Sequence, residues 1–226
     1  IQFKITMKYF LDTEFIEGFH KPLFGKRRHF IDLISIGIVA EDGREYYAIS
    51  NEFNPKHADK WVKENVLSKL PSKYFNGSNA QEAKLWKSNK QICQDIVEFI
   101  CPYETASEYA GAGSLNSGHE GFLKMNPPEF YAFYADYDWV LFCSLFGRMI
   151  DLPKGYPMYC NDLKQEADRL VNNLVLISRD FTSPLTQETA LQWLKDKKKY
   201  PKQTNEHNAL ADAKWNLELY NFLKTL

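Results

Sequence analysis

The chain is poor in the features that announce several common protein classes. Cysteine is scarce, with only Cys93, Cys101, Cys143 and Cys160 in 226 residues, and none forms a C-x-x-C pair. That excludes a disulfide framework and a structural zinc site built on paired cysteines and histidines. Set among apolar neighbours, the four read as buried free thiols of a reducing compartment. No apolar run approaches the roughly 18 residues of a membrane span, and no charged-then-apolar leader opens the chain. A soluble, cytoplasmic protein is therefore expected. No G-x-x-x-x-G-K-[ST] occurs, Asn116 interrupts the only approach to G-x-G-x-x-G, and G-x-S-x-G is missing; nucleotide-cradling loops and a serine-hydrolase elbow are thereby set aside. Neither sign of charge dominates, since 28 Lys and Arg face 29 Asp and Glu. Without a bulk pull toward polyanions, any such partner must be held by local patches or by cations. The chain opens on Ile1, so residues 1–6 are expected to be an added segment, with Met7 the natural start. No repeat or linker divides the rest, and 7–226 is expected to form a single domain.

What is abundant is aromatic surface, with 16 Phe, 13 Tyr and 5 Trp, which suits a tight core and also flat ligands that stack. Met7 to Leu11 reads as a short buried strand. Phe30 to Ala40 reads as a second strand, in which Gly37 marks either a bulge or a close backbone approach. Asp42-Gly43 is a hairpin signal, and Arg44 to Ser50 returns as a third strand. Ser88 and Gln91 form a capping box ahead of an apolar stripe at Ile92, Ile96, Phe99 and Ile100. Glu129 to Ala135 reads as a strand, and Trp139 to Phe146 as a helix stopped by Gly147. Asp162 is a helix N-cap for a segment reaching about Leu170, and His207 to Leu226 reads as a last helix. Two stretches carry few signals: Tyr103 to Pro128, whose four glycines suggest a long surface loop, and residues 171–206. The alternation predicts a three-layer α/β/α domain around a mixed sheet of five to six strands.

Carboxylates recur at telling places. Asp12 and Glu14 lie two apart in an extended segment, so both point to one face. Paired carboxylates repel unless a cation neutralises them, and paired oxygen ligands are what Mg²⁺ or Mn²⁺ sites use; a solvated strand end is the plainer alternative. Asp138 falls in the first turn of the helix starting near Trp139, where negative charge is favoured. It could equally be an N-cap, and Asp136 competes with it. His207 precedes Asp212 by five residues, which on an ideal helix separates them by about 140°. The two can share a site only if His207 sits on the loop or first turn and Asp212 lies inside the helix.

Taken in order, a strand D-x-E, a strand-to-helix Asp and a His-x(4)-Asp near the C-terminus resemble the DEDDh 3′–5′ exonucleases of the RNase H-like superfamily. Asp12 and Glu14 match the first motif, Asp138 the second, and His207 with Asp212 the third. The wording Tyr9-Phe-Leu-Asp-Thr-Glu-Phe-Ile-Glu17, with Leu33 to Tyr47, is most similar to the bacterial polyadenylate-specific exoribonucleases called RNase AS. Trp61-Val62, Val66-Leu67, Lys69-Leu70-Pro71 and Leu85-Trp86 continue the similarity, which spans most of the chain. The loop Gly18–His29 and the segment Tyr103–Pro128 depart from it by being longer.

The resemblance implies an RNase H-like exonuclease fold. It also implies that two divalent cations, Mg²⁺ or Mn²⁺, are held by Asp12, Glu14, Asp138 and Asp212, with His207 as general base. The substrate would be the 3′ end of single-stranded RNA, with adenylate favoured, and the protein a homodimer. Phe15 and Thr13 are the candidate substrate contacts, Phe15 as a stacking ring or simply as core. Lys21, Lys26, Arg27 and Arg28, in an acid-free stretch, and Lys195 to Lys202 could meet backbone phosphates or merely be solvated. Two rival readings are a DNA exonuclease using the same five residues and a non-catalytic nucleic-acid-binding domain. The second predicts that a ligand or the base is missing, and all five candidates are present.

Overall fold

A computed structural model describes residues 6–20, 24–74, 80–110, 113–180 and 182–226. Strands β1 (Lys8–His20), β2 (Arg28–Ala40), β3 (Glu45–Ser50), β4 (Trp86–Lys87), β5 (Glu129–Ala132) and β6 (Asn161–Asp162) form one sheet, ordered β4-β3-β2-β1-β5-β6. The first three make an antiparallel meander, and β4, β5 and β6 join in parallel. Among the described residues the helices are α1 (Lys60–Asn65), α2 (Ala80–Ala83), α3 (Asn89–Ile100), α4 (Tyr103–Ala110), α5 (Leu115–Met125), α6 (Ala135–Phe146), α7 (Leu163–Ile177), α8 (Gln187–Lys195) and α9 (Ala209–Leu223). This is the α/β class with a mixed sheet between helical layers that the sequence pattern predicts. No helix among the described residues is long and apolar enough to cross a membrane.

The alternation of side chains along β1 divides the layers. Tyr9 and Leu11 face one core, filled by Ile92 and Ile96 of α3 and by Trp139 and Phe142 of α6. Phe10 points the other way, its ring 5.4 Å from that of Tyr131 and 5.2 Å from that of Tyr220 on α9. Behind α9, Trp215 and Leu219 pack with Leu163 and Val171 of α7 and Leu194 of α8. A smaller core joins Ile16 and Ile34 to Ala58 and Val66, which flank α1. Of the four thiols, all free, Cys101 and Cys143 are buried and Cys93 and Cys160 are half-buried.

The β1–β5 pairing ends where Phe10 meets Tyr131. The next two groups on that edge of β1 are met by side chains instead. Asn216 of α9 donates to the Leu11 carbonyl at 2.9 Å, and the Thr13 amide donates to Asp138 of α6 at 2.8 Å. On the opposite edge Asp12 pairs with Gly37. A Cβ built on Gly37 would come within 2.3 Å of the Ala209 carbonyl oxygen. Gly37 is therefore a close approach of α9 to the sheet, while the bulge lies at Glu14/Phe15.

Several boundaries differ from the sequence reading. β1 runs to His20 rather than stopping at Leu11, because its acidic residues disguise a strand whose pairing with β2 continues to Arg28. Tyr103–Pro128 is not a loop but holds α4 and α5. A Cβ at Gly118 would lie 1.9 Å from the Ala106 carbonyl oxygen; a glycine that reads as a loop former permits two helices to touch. β5 ends at Ala132 and α6 starts at Ala135, the helix capped by Asp162 extends to Ile177, α8 occupies part of 171–206, and α9 spans Ala209–Leu223. Ser88 does cap α3 by accepting the Gln91 amide at 3.2 Å, but the Gln91 side chain bonds Asp95 instead of closing the box. Lys21 and Gly111 lie outside the described residues.

Gly37→Ala is expected to push α9 off the sheet and to cost about 1–3 kcal/mol, as overpacking does. Denaturant unfolding measures it, and an unchanged midpoint would show that α9 can retreat without loss.

Candidate active site

Asp12 and Glu14 share the face of β1 that α9 covers, opposite Gly37 and Ser35 of β2. Asp212, in the first turn of α9, descends onto them. One carboxylate oxygen from each of Asp12, Glu14 and Asp212 lies within 4.8 Å of the other two. Asp212 is itself fixed at both oxygens: Gln203 Nε2 donates to Oδ1 at 2.6 Å, and the His207 amide donates to Oδ2 at 2.9 Å.

Asp138 reaches the cluster from α6. β5 turns away just past the level of Phe10, so the first turn of α6 arrives beside Thr13. Both the amide and the hydroxyl of Thr13 donate to Asp138 Oδ1, at 2.8 and 2.6 Å. Asp138 is only 6% exposed, whereas Asp136 points to solvent. His207 sits before the N-cap Asn208 with φ of 65°, outside the regular helix. That is the placement that lets it share a site with Asp212.

Three residues at this site carried no role in the sequence reading. The Trp61 ring meets the His207 ring edge-on, centroids 4.7 Å apart. Lys69 donates to the Glu206 carbonyl at 2.9 Å, tying down the segment before His207. Gln203 orients Asp212. Trp61 and Lys69 fall in stretches that carry the sequence resemblance, though nothing local marks their part in the site, and Gln203 has no motif at all. The Thr13 hydroxyl is engaged with Asp138. Phe15 is half-buried and lies flat on Tyr137, with centroids 5.4 Å apart and planes 6° apart.

The cluster is electrostatically loaded. Burial, reinforced by Asp138, Glu14 and Asp212, holds the Asp12 carboxyl well above the usual carboxylate range. Burial and the neighbouring Asp212 and Asp138 push Glu14 up to about 8, with Lys69 opposing. Burial raises Asp138 to about 7 against the two Thr13 hydrogen bonds. Asp212 is raised by burial and lowered by its Gln203 and His207 bonds. Beside Glu14, the Ser35 and Tyr47 hydroxyls are buried next to each other. Converging hard oxygen donors that repel one another fit a divalent cation such as Mg²⁺ or Mn²⁺.

Residues 7–223 match a family model described as the 3′-5′ exoribonuclease Rv2179c-like domain. The chain belongs to that family. Two curated relatives from Mycobacterium tuberculosis are similar to it, the 3′-5′ exoribonuclease Rv2179c of strain H37Rv and the 3′-5′ exoribonuclease MT2234.1 of strain CDC 1551. Each is 39% identical over 159 residues, covering 70% of this chain and 73% of its own. The structure of this member of the Rv2179c-like exoribonucleases brings Asp12, Glu14 and Asp212 together on β1 and α9.

Raised carboxyl pKa values set a sign for the effect of pH. The folded chain holds protons that the unfolded chain releases above about pH 4. The stability tied to these protons is lost as pH rises through the folded values of about 7 and about 8. Without divalent cations the melting temperature should fall between about pH 6 and about pH 8.5. Mg²⁺ or Mn²⁺ should restore it, most at the higher pH. A metal-induced shift that is the same at both pH values would separate these carboxylates from metal binding.

Proposed function

We propose that this chain is a DEDDh-type 3′–5′ exoribonuclease that removes nucleoside 5′-monophosphates from single-stranded RNA, favouring adenylate. The observation that carries the proposal is the convergence of Asp12, Glu14 and Asp212 within 4.8 Å, with Asp138 and His207 beside them, in a member of an exoribonuclease family. Asp12, Glu14, Asp138 and Asp212 would hold two divalent cations, Mg²⁺ or Mn²⁺. Bound there, the cations would offset the phosphate charge and the charge that develops at the leaving oxygen.

The chain's own residues supply the rest. His207 accepts a proton from the attacking water as its oxygen bonds to phosphorus. The P–O3′ bond breaks, the nucleotide departs as a 5′-monophosphate, and the new 3′-hydroxyl takes its proton from solvent. Thr13 keeps Asp138 oriented through two hydrogen bonds. The His207 amide and Gln203 keep Asp212 from turning away from β1. Trp61 and Lys69 restrain the His207 segment from the side of α1. The adenylate preference and a homodimer rest on the RNase AS-like wording of Tyr9–Glu17 and Leu33–Tyr47.

The test uses 5′-labelled adenylate RNA, cytidylate RNA and adenylate DNA, each with Mn²⁺, Mg²⁺ or chelator. A metal-dependent ladder shortening from the 3′ end of adenylate RNA alone is expected. Equal degradation of DNA would overturn the RNA preference, and intact substrates throughout would point to a binding domain. Asp12→Asn should abolish turnover with the fold retained. His207→Ala should slow it by about 10²–10⁴-fold while the metal-induced rise in melting temperature persists; an unchanged rate would place the base elsewhere.

A further inference from the structure

Gln203 and Glu206 border the carboxylate cluster on one side and an open cavity of about 720 Å³ on the other. The aromatic residues Phe133, Tyr134, Tyr200 and Trp215 line the cavity together with Lys164, Lys195 and Lys202. Its acids are Asp168 and Glu206. Asp168 is paired with Lys164, while no ion pair engages Lys195 or Lys202 among the described residues. Aromatic side chains beside two lysines that outnumber the one unpaired acid, Glu206, suit an aromatic base with an attached phosphate.

Backbone strain is concentrated around this cavity. Among the described residues, positive φ outside glycine occurs at Tyr134 (59°), Asn205 (56°) and His207 (65°). Asn and His occupy that region more readily than most residues, whereas Tyr does so only under strain. Tyr134 is held there by its amide, which donates to Asp162 Oδ1 at 3.3 Å. Its ring gains little in return from packing, since the residue is 63% exposed. The ring stands edge-on to Phe133 with the Lys164 ammonium 5.7 Å from its centroid. A strained residue that presents a bare ring at the mouth of a cavity beside catalytic carboxylates is placed for a ligand.

We propose that this cavity receives the retained RNA strand on the 5′ side of the scissile phosphate, with a base on Tyr134 and backbone phosphates at Lys195 and Lys202. The proposal rests on the exoribonuclease reading. The leaving mononucleotide brings one phosphate, and that phosphate is already at the carboxylate cluster. Further phosphates belong to the strand that stays, and the lysines line a cavity that Gln203 joins to the carboxylate cluster. Holding it here keeps the shortened 3′ end next to Asp12 for the following round.

The experiment compares the unaltered protein with Lys195→Gln/Lys202→Gln and with Tyr134→Gly; glycine accepts the positive φ and removes only the ring. Both variants should raise KM for a ten-nucleotide adenylate RNA by about tenfold and leave kcat within about twofold. Hydrolysis of bis(p-nitrophenyl) phosphate, which has no retained strand, should be unchanged. Fluorescence anisotropy of a 5′-fluorescein decamer should show the salt dependence of binding flattened by about 1.4 in the double lysine variant, two contacts at about 0.7 each. Unchanged KM and salt slope in both variants would overturn the proposal. So would a matching loss on the nitrophenyl diester, which would assign these residues to the chemistry itself. If the unaltered protein cleaves no RNA yet the variants bind the decamer more weakly, the exoribonuclease reading fails and the subsite stands.

Discussion

The edge of β1 beyond Phe10 is the constraint on which the site depends. A buried backbone amide or carbonyl without a partner costs about as much as a lost hydrogen bond, and the pairing of β1 with β5 ends before β5 can satisfy them. Asn216 and Asp138 take its place. By doing so they draw the first turns of α9 and α6 to the same few ångströms of β1. The hydrogen bonds that seal the strand edge also deliver two of the four carboxylates. Gly37 completes the arrangement from the other edge by letting the α9 backbone lie against the sheet.

This packing works against electrostatics. Four carboxyls crowd a buried space and raise one another's proton affinity. Attachments that do not involve the cluster's own charges hold it together: the Asn216 bond, the aromatic contacts of Phe10 with Tyr131 and Tyr220, and the core behind Trp215. Stability stored in α9 thus supports a local geometry that would otherwise fly apart. Sites of this kind are locally unfavourable and globally maintained.

Much of the site was legible because its residues have local signatures. Period-two spacing placed Asp12 and Glu14 on one face, and the angle between His207 and Asp212 required His207 to leave the helix, as it does. Gly37 announced either a bulge or a close approach, and the structure makes it the second. Other features have no local signature. Gln203 stands in no motif, and Trp61 and Lys69, though set in stretches that carry the resemblance, give no local sign of their part in the site; only tertiary structure brings the three to the cluster. Gly118 misled because glycine serves loops and tight helix crossings alike. The far half of β1 was hidden because its carboxylates break the apolar pattern that marks a strand; function and pattern compete at the same positions.

The order of these elements along the chain has a temporal consequence. Asp12 lies on the first strand, Asp138 follows the fifth, and His207, Asp212 and Asn216 come with the last helix. Contacts of such sequence separation form late and slowly in folding. During synthesis, the carboxylates of β1 and α6 emerge well before the segment that completes them. The carboxylate cluster is therefore complete only once α9 has docked, as a single late event.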